Sequence, residues 1–118
     1  MNHIELQCHI ACADWLRFYK NKTKKIWYTS PQAGGTNSAK QGAKLKRMGA
    51  VAGVPDFVIG SAISFLLVEL KTTDGILSDA QKEFRLHVEL LGYRVDMIIT
   101  DDPQEAVKKM QALVFANV

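Results

Sequence analysis

The sequence predicts an α/β protein, because helical and strand-like segments alternate along its 118 residues. In residues 3–20, apolar side chains recur every three or four positions, as on one side of an amphipathic helix. Two apolar runs, 56–59 and 63–71, are separated by Gly60-Ser61-Ala62, which is typical of two strands joined by a turn. The predicted order is helix, strand, helix, two strands, helix, strand and helix.

In the first half, turn residues set the limits of the elements. A short strand is expected at 26–29, and the segment after it, 30–38, is rich in Gly, Asn and Ser and predicts a loop. A short basic helix is predicted at 39–48, followed by a tight connection at 49–55. The strand at 63–71 is apolar on both faces almost to its end, which favours a central position in the sheet.

In the second half, capping residues mark two helices. Ser78 is a good N-cap for a helix that runs to Leu91, after which Gly92 ends it. Pro103 suits the first turn of the last helix, where its missing N–H costs nothing. A strand at 93–100 lies between these helices, and the whole chain, 1–118, is expected to be one domain.

The charge of the chain is small overall but unevenly distributed. The formal net charge is +3, yet nine Lys or Arg and no acidic residue occur from Arg17 to Arg47. This asymmetry fits a surface that faces phosphate groups, although a solvated basic loop would give the same pattern. No segment has the apolar length of a membrane span, and the start lacks the layout of a signal peptide. We therefore expect a cytoplasmic protein with no membrane partner.

Both cysteines, Cys8 and Cys12, lie in the first predicted helix. With His3 and His9 nearby they could form a soft-metal site, but no second segment offers a matching pair of ligands. Two small buried thiols are the favoured interpretation.

The most informative residues are charges that border the apolar strands. Asp56 stands at the start of the apolar run 56–59, and Glu69 and Lys71 lie at the end of the apolar run 63–71. Charges on buried strands are costly unless they are paired or bind a metal. A turn could bring the two carboxylates together, and Lys71 would point to the same face as Glu69. The alternative is a cross-strand salt bridge that pins the sheet.

These groups suit the hydrolysis of a phosphodiester. Asp56, Glu69 and the backbone carbonyl of Leu70 are oxygen donors of the kind that hold Mg²⁺. A divalent metal lowers the pKa of a bound water and neutralises the phosphate. Lys71 would hold that water or stabilise developing negative charge.

Two further polar residues could join this site. Glu5, near the start of the first helix, could be another metal ligand, directly or through water. Gln81, in the first turn after Ser78, could orient the water or Lys71. The simpler interpretations are a solvated acid for Glu5 and a favourable polar residue at a helix start for Gln81.

Four motifs follow one another along the chain. They are Gly53-Val54-Pro55-Asp56-Phe57, Val68-Glu69-Leu70-Lys71, Gly75-x-Leu77-Ser78-x-x-Gln81 and Leu91-Gly92-Tyr93. Together they resemble a VRR-NUC domain, a branch of the PD-(D/E)XK nuclease superfamily. The resemblance spans nearly the whole chain. In length, the chain is similar to the small stand-alone members from phages and bacteria. It implies a restriction-endonuclease-like core of αβββαβ type, with a mixed central sheet flanked by helices.

The resemblance also implies a DNA endonuclease that depends on Mg²⁺ or Mn²⁺. Glu5 matches the acid of the first helix, and Asp56 and Glu69 match the metal-binding pair. Lys71 matches the catalytic lysine, and Gln81 the glutamine of the following helix. The resemblance to the small members implies a homodimer that cleaves four-way (Holliday) junctions. It also implies a location in the cytoplasm of a bacterial or phage-infected cell. A two-fold dimer would present two active sites to a symmetric branched substrate.

Four residues are expected to contact DNA. Ser78 resembles the serine at the head of the family's helix, and Lys40, Lys44 and Arg47 of the basic helix are plausible phosphate contacts. Such contacts position DNA without reading its sequence. One departure is the segment 29–35, which lacks a histidine that family members often carry. A less selective nuclease for flaps, nicks or defence, a non-catalytic DNA-binding module and a protein-interaction domain remain alternatives.

Overall fold

The described residues, 2–31 and 39–117, form helices that alternate with strands in this computed structural model. Of residues 39–41, only the backbone is described. The elements are α1 (His3–Thr23), β1 (Ile26–Thr29), α2 (Ala39–Arg47), β2 (Phe57–Ser61), β3 (Phe65–Lys71), α3 (Asp79–Leu90), β4 (Val95–Ile99) and α4 (Pro103–Asn117). This is the order of helices and strands that the sequence predicts.

Local hydrogen bonds explain where the observed elements differ from the predicted limits. The Ser61 N–H donates to the Ser64 carbonyl at 2.9 Å, so the turn is longer than predicted and β3 begins at Phe65. The first helix continues to Thr23, because Lys24 takes the left-handed conformation (φ 57°) and closes the last turn.

The four strands form one mixed sheet in the order β1-β2-β3-β4. The pairs β1–β2 and β2–β3 are antiparallel, whereas β3 and β4 are parallel. The parallel pair needs a crossover connection, and α3 lies in it. The predicted central position of β3 and the predicted mixed sheet flanked by helices are both confirmed.

One face of the sheet is buried beneath α1 and α4, which also pack against each other. The core contains Cys8, Cys12, Leu16, Phe57, Ile59, Leu66, Val68, Leu70, Ile98, Ala106, Met110 and Val114. Because side chains alternate along a strand, Glu69 and Lys71 point to the opposite face from Val68 and Leu70. The charges at the end of β3 are therefore kept out of the apolar core.

The two cysteines are free thiols within this core. Burial raises the pKa of both, that of Cys12 to about 12, so each stays protonated at neutral pH. The interpretation as buried thiols is confirmed. None of the described helices is long and apolar enough to cross a membrane.

Candidate active site

Asp56 is held at the entrance to β2 by the backbone of the neighbouring strand. Its side chain is only 4% exposed, and its Oδ2 accepts a hydrogen bond of 2.7 Å from the Leu70 N–H. The next residue, Phe57, pairs with Val68 across the sheet, so Asp56 lies beside Glu69. The antiparallel register thus brings together two carboxylates that are 13 positions apart in the sequence.

Glu69 is 3% exposed and shares a hydrogen bond with Asp56. Burial, this hydrogen bond and the charge of Asp56 raise the pKa of Glu69 to about 9, although Lys71 opposes the shift. Burial alone would raise the pKa of Asp56, but interactions with His9, Glu69 and the Leu70 amide lower it overall. Without a metal, the pair therefore holds one proton at neutral pH, mainly on Glu69.

Gln81 connects this carboxyl pair to the start of α3. Its side-chain Nε2 donates to Glu69 Oε1 at 3.1 Å. Its Oε1 accepts from the Ser78 N–H at 2.8 Å, while the Ser78 hydroxyl accepts from the Gln81 N–H at 3.1 Å. This is a capping box, so Gln81 stabilises the helix start and orients Glu69 with the same amide group. The interpretation of Gln81 as a favourable polar residue at a helix start is confirmed. Its amide contacts Glu69, and its action on a water or on Lys71 stays a prediction.

Gly53 explains why the loop before Asp56 can approach α3 so closely. Its φ is +82°, and a Cβ atom there would lie 2.2 Å from the Ala80 carbonyl oxygen and 2.7 Å from the Gln81 nitrogen. Only glycine tolerates both the conformation and the contact. The Gly-x-Pro-Asp motif therefore positions the Asp56 loop against the helix end that carries Gln81.

Lys71 is half-buried on the same face as Glu69, and its positive charge acts to lower the pKa of Glu69. A Cβ atom on Gly75 would lie 3.3 Å from Lys71 Cδ, so the glycine leaves room for the lysine chain. Lys71 thus lies on the same face of β3 as Glu69, as their spacing predicts, and its catalytic role stays a prediction.

Glu5 is half-buried on α1, and its charge raises the pKa of Glu69. Within residues 2–31 and 39–117, however, no three His, Cys, Asp or Glu side chains gather closely enough to hold a metal ion. Glu5 therefore does not complete a direct three-carboxylate set, and its action through water stays a prediction. The Leu70 carbonyl as a ligand also stays a prediction.

His9 is a candidate site residue that the sequence interpretation did not place here. It is buried, stacks on Phe57 with ring centroids 4.5 Å apart, and sets its Nδ1 3.7 Å from Asp56 Oδ1. Its Nε2 lies 3.0 Å from the Ser30 hydroxyl. In one tautomer of the neutral His9 ring, the proton on Nδ1 faces the Asp56 carboxylate and Nε2 accepts from the Ser30 hydroxyl. In the other tautomer, the lone pair of Nδ1 would face the carboxylate, which is unfavourable.

A signal for His9 exists in the sequence. His9 follows Glu5 by four residues on a predicted helix, so both lie on one side of it. The packing of that side against the start of β2 requires the tertiary structure, because α1 and Asp56 are far apart in the sequence.

The basic residues predicted to contact DNA lie on α2, which precedes the strands of the carboxyl pair in the sequence. Lys44 and Arg47 are exposed on α2, which makes no extensive contact with the other described elements. The side chain of Lys40 lies outside the described residues. Ser78 is exposed at the head of α3, next to Gln81. Contact of these four residues with DNA stays a prediction.

Comparison with known proteins identifies the fold. No family model matches the sequence, and no curated protein matches it. A solved structure described as a VRR_NUC domain protein superposes with a TM-score of 0.65 and 19% sequence identity. The match covers 99% of this chain and 93% of that protein. The chain has the fold of a VRR-NUC domain, and the fold predicted from the four motifs is confirmed.

Proposed function

We propose that this protein is a metal-dependent DNA endonuclease that hydrolyses phosphodiester bonds at the Asp56–Glu69 pair. The observation that carries the proposal is two buried carboxyl groups that are hydrogen-bonded to each other, with Lys71 on the same face. A purely structural salt bridge would pair Lys71 directly with a carboxylate and would not need two adjacent acids. The VRR-NUC fold supports the same conclusion.

The residues present fit Mg²⁺ or Mn²⁺. Asp56 and Glu69 supply hard oxygen donors, and the carbonyl of Leu70 lies between Glu69 and Lys71. Burial, the hydrogen bond to Asp56 and the charge of Asp56 raise the pKa of Glu69, and the positive charge of a divalent cation would act against this rise. When bound, such a metal supplies Lewis-acid activation of water and of the phosphate.

The side chains around the pair have separate tasks in this proposal. The Leu70 N–H holds the Asp56 carboxylate, with His9 Nδ1 beside it at 3.7 Å, and the Gln81 amide holds Glu69. Lys71 stabilises negative charge as it develops on the phosphate or holds the attacking water. Because these groups are fixed by strands and a helix cap, the site is preorganised before DNA binds.

The DNA would be branched, and the enzyme would act as a homodimer on four-way junctions. Support comes from the family resemblance and from the exposed Lys44 and Arg47, which suit phosphate contacts. Cleavage of flaps or nicks, or a defence role, would use the same site. A non-catalytic module is disfavoured because Asp56, Glu69 and Lys71 are all present.

The test is cleavage of a labelled four-way junction, a flap, a nicked duplex and a linear duplex side by side, with Mg²⁺, Mn²⁺ or EDTA. We expect paired symmetrical nicks in the junction that need metal. Asp56→Asn and Lys71→Ala should abolish cleavage while the proteins stay folded. Asp14→Asn and Lys109→Ala, which remove exposed partners of ion pairs, are the matched controls. Full activity of Asp56→Asn, purified free of host nuclease, would refute the site.

A further inference from the structure

A row of aromatic side chains crosses the sheet on the face that carries the carboxyl pair. Trp27 of β1 is opposite Gly60 of β2, and Gly60 is opposite Phe65 of β3. Phe65 and Glu69 are four residues apart on one strand, so their side chains share a face. Along the strand the two positions are about 13 Å apart.

The Trp27 ring is held in place from two sides. A Cβ atom on Gly60 would lie 2.4 Å from Trp27 Nε1, so the indole covers the bare backbone of that glycine. Phe65 contacts it edge to face, with centroids 5.8 Å apart and planes at 71°. Trp27 nevertheless remains 46% exposed and Phe65 63%. The pair is therefore an ordered aromatic surface that is open to solvent.

The other tryptophan differs in its surroundings. Trp15 is half-buried, stacks on Tyr19 at 5.0 Å and meets Phe115 edge-on at 5.7 Å, next to the core. Its role in packing is accounted for by these contacts. Trp27, in contrast, packs on Gly60 and Phe65 at the surface and keeps nearly half of its area exposed.

A cavity of about 660 Å³ opens beside Trp27. Lys24 and Lys25 line it, and the described lining residues include no carboxylate. Ammonium groups beside an open indole ring match one ligand chemistry well: a nucleotide, whose base stacks on the aromatic face while its phosphate faces the lysines.

We propose that Trp27, with Lys24 and Lys25, forms a subsite that stacks an unpaired base of the DNA substrate. The inference rests on the proposed nuclease function and adds to it a preference, among branched DNAs, for those with an unpaired stretch, such as a flap. From Trp27, Glu69 lies about 13 Å along the strand direction and two strands, about 10 Å, across the sheet, which is a separation of about 16 Å or roughly five stacked nucleotides. DNA with an unpaired stretch a few nucleotides from the scissile phosphate would engage both.

A second copy of the chain is the competing occupant of this surface. In a two-fold contact the same patch meets itself, so Lys24 and Lys25 would approach their own counterparts. The described lining offers no acidic partner to neutralise them. Charge complementarity thus favours a polyanion over self-association at this place.

The test compares binding of two DNA molecules in EDTA, so that neither is cut: a blunt duplex, and the same duplex with a short single-stranded thymidine tail. Trp27→Ala should weaken binding of the tailed duplex about ten-fold or more, as stacking of a base on an aromatic ring predicts. It should change blunt-duplex binding less than about two-fold. Trp27→Phe should retain most of the tail affinity, which separates stacking from loss of fold.

Fluorescence gives an independent readout. The chain has two tryptophans, so Trp15→Phe leaves Trp27 as the reporter. We expect the tailed duplex, and not the blunt one, to quench its emission. Lys25→Gln should weaken tailed-duplex binding and make it less sensitive to salt.

Several outcomes would overturn the inference. It would be overturned if Trp27→Ala lost equal affinity for both DNAs, or if it bound the tailed duplex as tightly as the wild type. It would also be overturned if the tailed duplex did not quench the emission of Trp27. If the wild type is a dimer, light scattering tests whether Trp27→Ala makes it a monomer. A monomer that keeps its preference for the tailed duplex would assign the surface to a subunit contact. Wild-type protein that binds neither of these DNAs nor a four-way junction would defeat the proposed function itself, whereas equal binding of the tailed and blunt duplexes would defeat only this subsite.

Discussion

At the scale of single residues, the decisive feature is a pair of acids that the fold buries next to each other. Asp56 and Glu69 are less exposed than most of the described apolar residues, and their side chains are hydrogen-bonded to each other. Burying two carboxyls together destabilises the metal-free protein relative to a neutral pair. Such a cost is typical of a functional site, because a purely structural position would favour an apolar side chain.

This cost predicts a particular dependence of stability on pH in the metal-free protein. The pKa of Glu69 is about 9 when folded, against an ordinary value of 4.5. Between these values the folded state binds more protons than the unfolded state, so stability falls as pH rises. Thermal unfolding in EDTA should show a Tm that decreases from pH 5 towards pH 9 for the wild type. Glu69→Gln, which keeps the shape without the charge, should flatten this slope and raise the Tm at neutral pH.

Asp14→Asn is the matched control, since Asp14 is an exposed acid on α1 paired with Arg17. It should retain the wild-type slope. Parallel curves for the wild type and Glu69→Gln would show that Glu69 titrates normally and that the two carboxyls are not coupled.

His9 gives a second prediction at this scale. Because it faces Asp56 from α1, His9→Ala should weaken Mn²⁺ binding about 10–100-fold, as loss of a group that orients a metal ligand does. His9→Asn, whose amide can donate from a similar place, should recover part of the affinity. The measurement is calorimetric titration with Mn²⁺ in the absence of DNA. His3→Ala, on the same helix but exposed, should bind Mn²⁺ normally; equal binding by His9→Ala would exclude the positioning role.

At the scale of elements, the site depends on how the loop before β2 meets the start of α3. The capping box of Ser78 and Gln81 fixes the helix end, and Gly53 lets the loop lie against it. The glycine, the acid and the glutamine are therefore parts of one junction between two elements, although they belong to different sequence motifs.

Gly53→Ala tests this junction. The substitution combines a strained positive φ with a contact of 2.2 Å to the Ala80 carbonyl, so the loop or the helix must move. Gly92→Ala is the control, since Gly92 also has a positive φ (+94°) but has open space around it. The control should cost only about 1–2 kcal/mol of backbone strain. Gly53→Ala should lower the Tm further and should reduce cleavage; equal effects of the two substitutions would contradict the role of close packing.

The sequence predicts the elements well, because their caps, turns and apolar spacing are local signals. It also predicts the contact of Asp56 with Glu69, since a short turn between two strands restricts their register. The approach of His9 to Asp56 could not be predicted, because it depends on how α1 lies against the sheet. The direction of the Trp27 side chain could not be predicted either, because a one-residue shift in register would reverse it.

At the scale of the whole molecule, the sheet separates two functions. The helices α1 and α4 cover one face and supply the core. The other face carries Glu69, Lys71 and the Trp27–Phe65 pair. On that face Glu69 is buried and contacted by Gln81 at the start of α3, whereas Trp27 and Phe65 remain exposed. The basic helix α2, between β1 and β2 in the chain, adds exposed positive charge.

The most direct test of the central claim is anomalous diffraction from crystals of the wild type and of Glu69→Gln soaked in Mn²⁺. We expect an Mn²⁺ peak between the carboxylates of Asp56 and Glu69 in the wild type, and its loss or strong weakening in the variant. Mn²⁺ bound equally in both proteins, or bound only at other positions in the wild type, would contradict it.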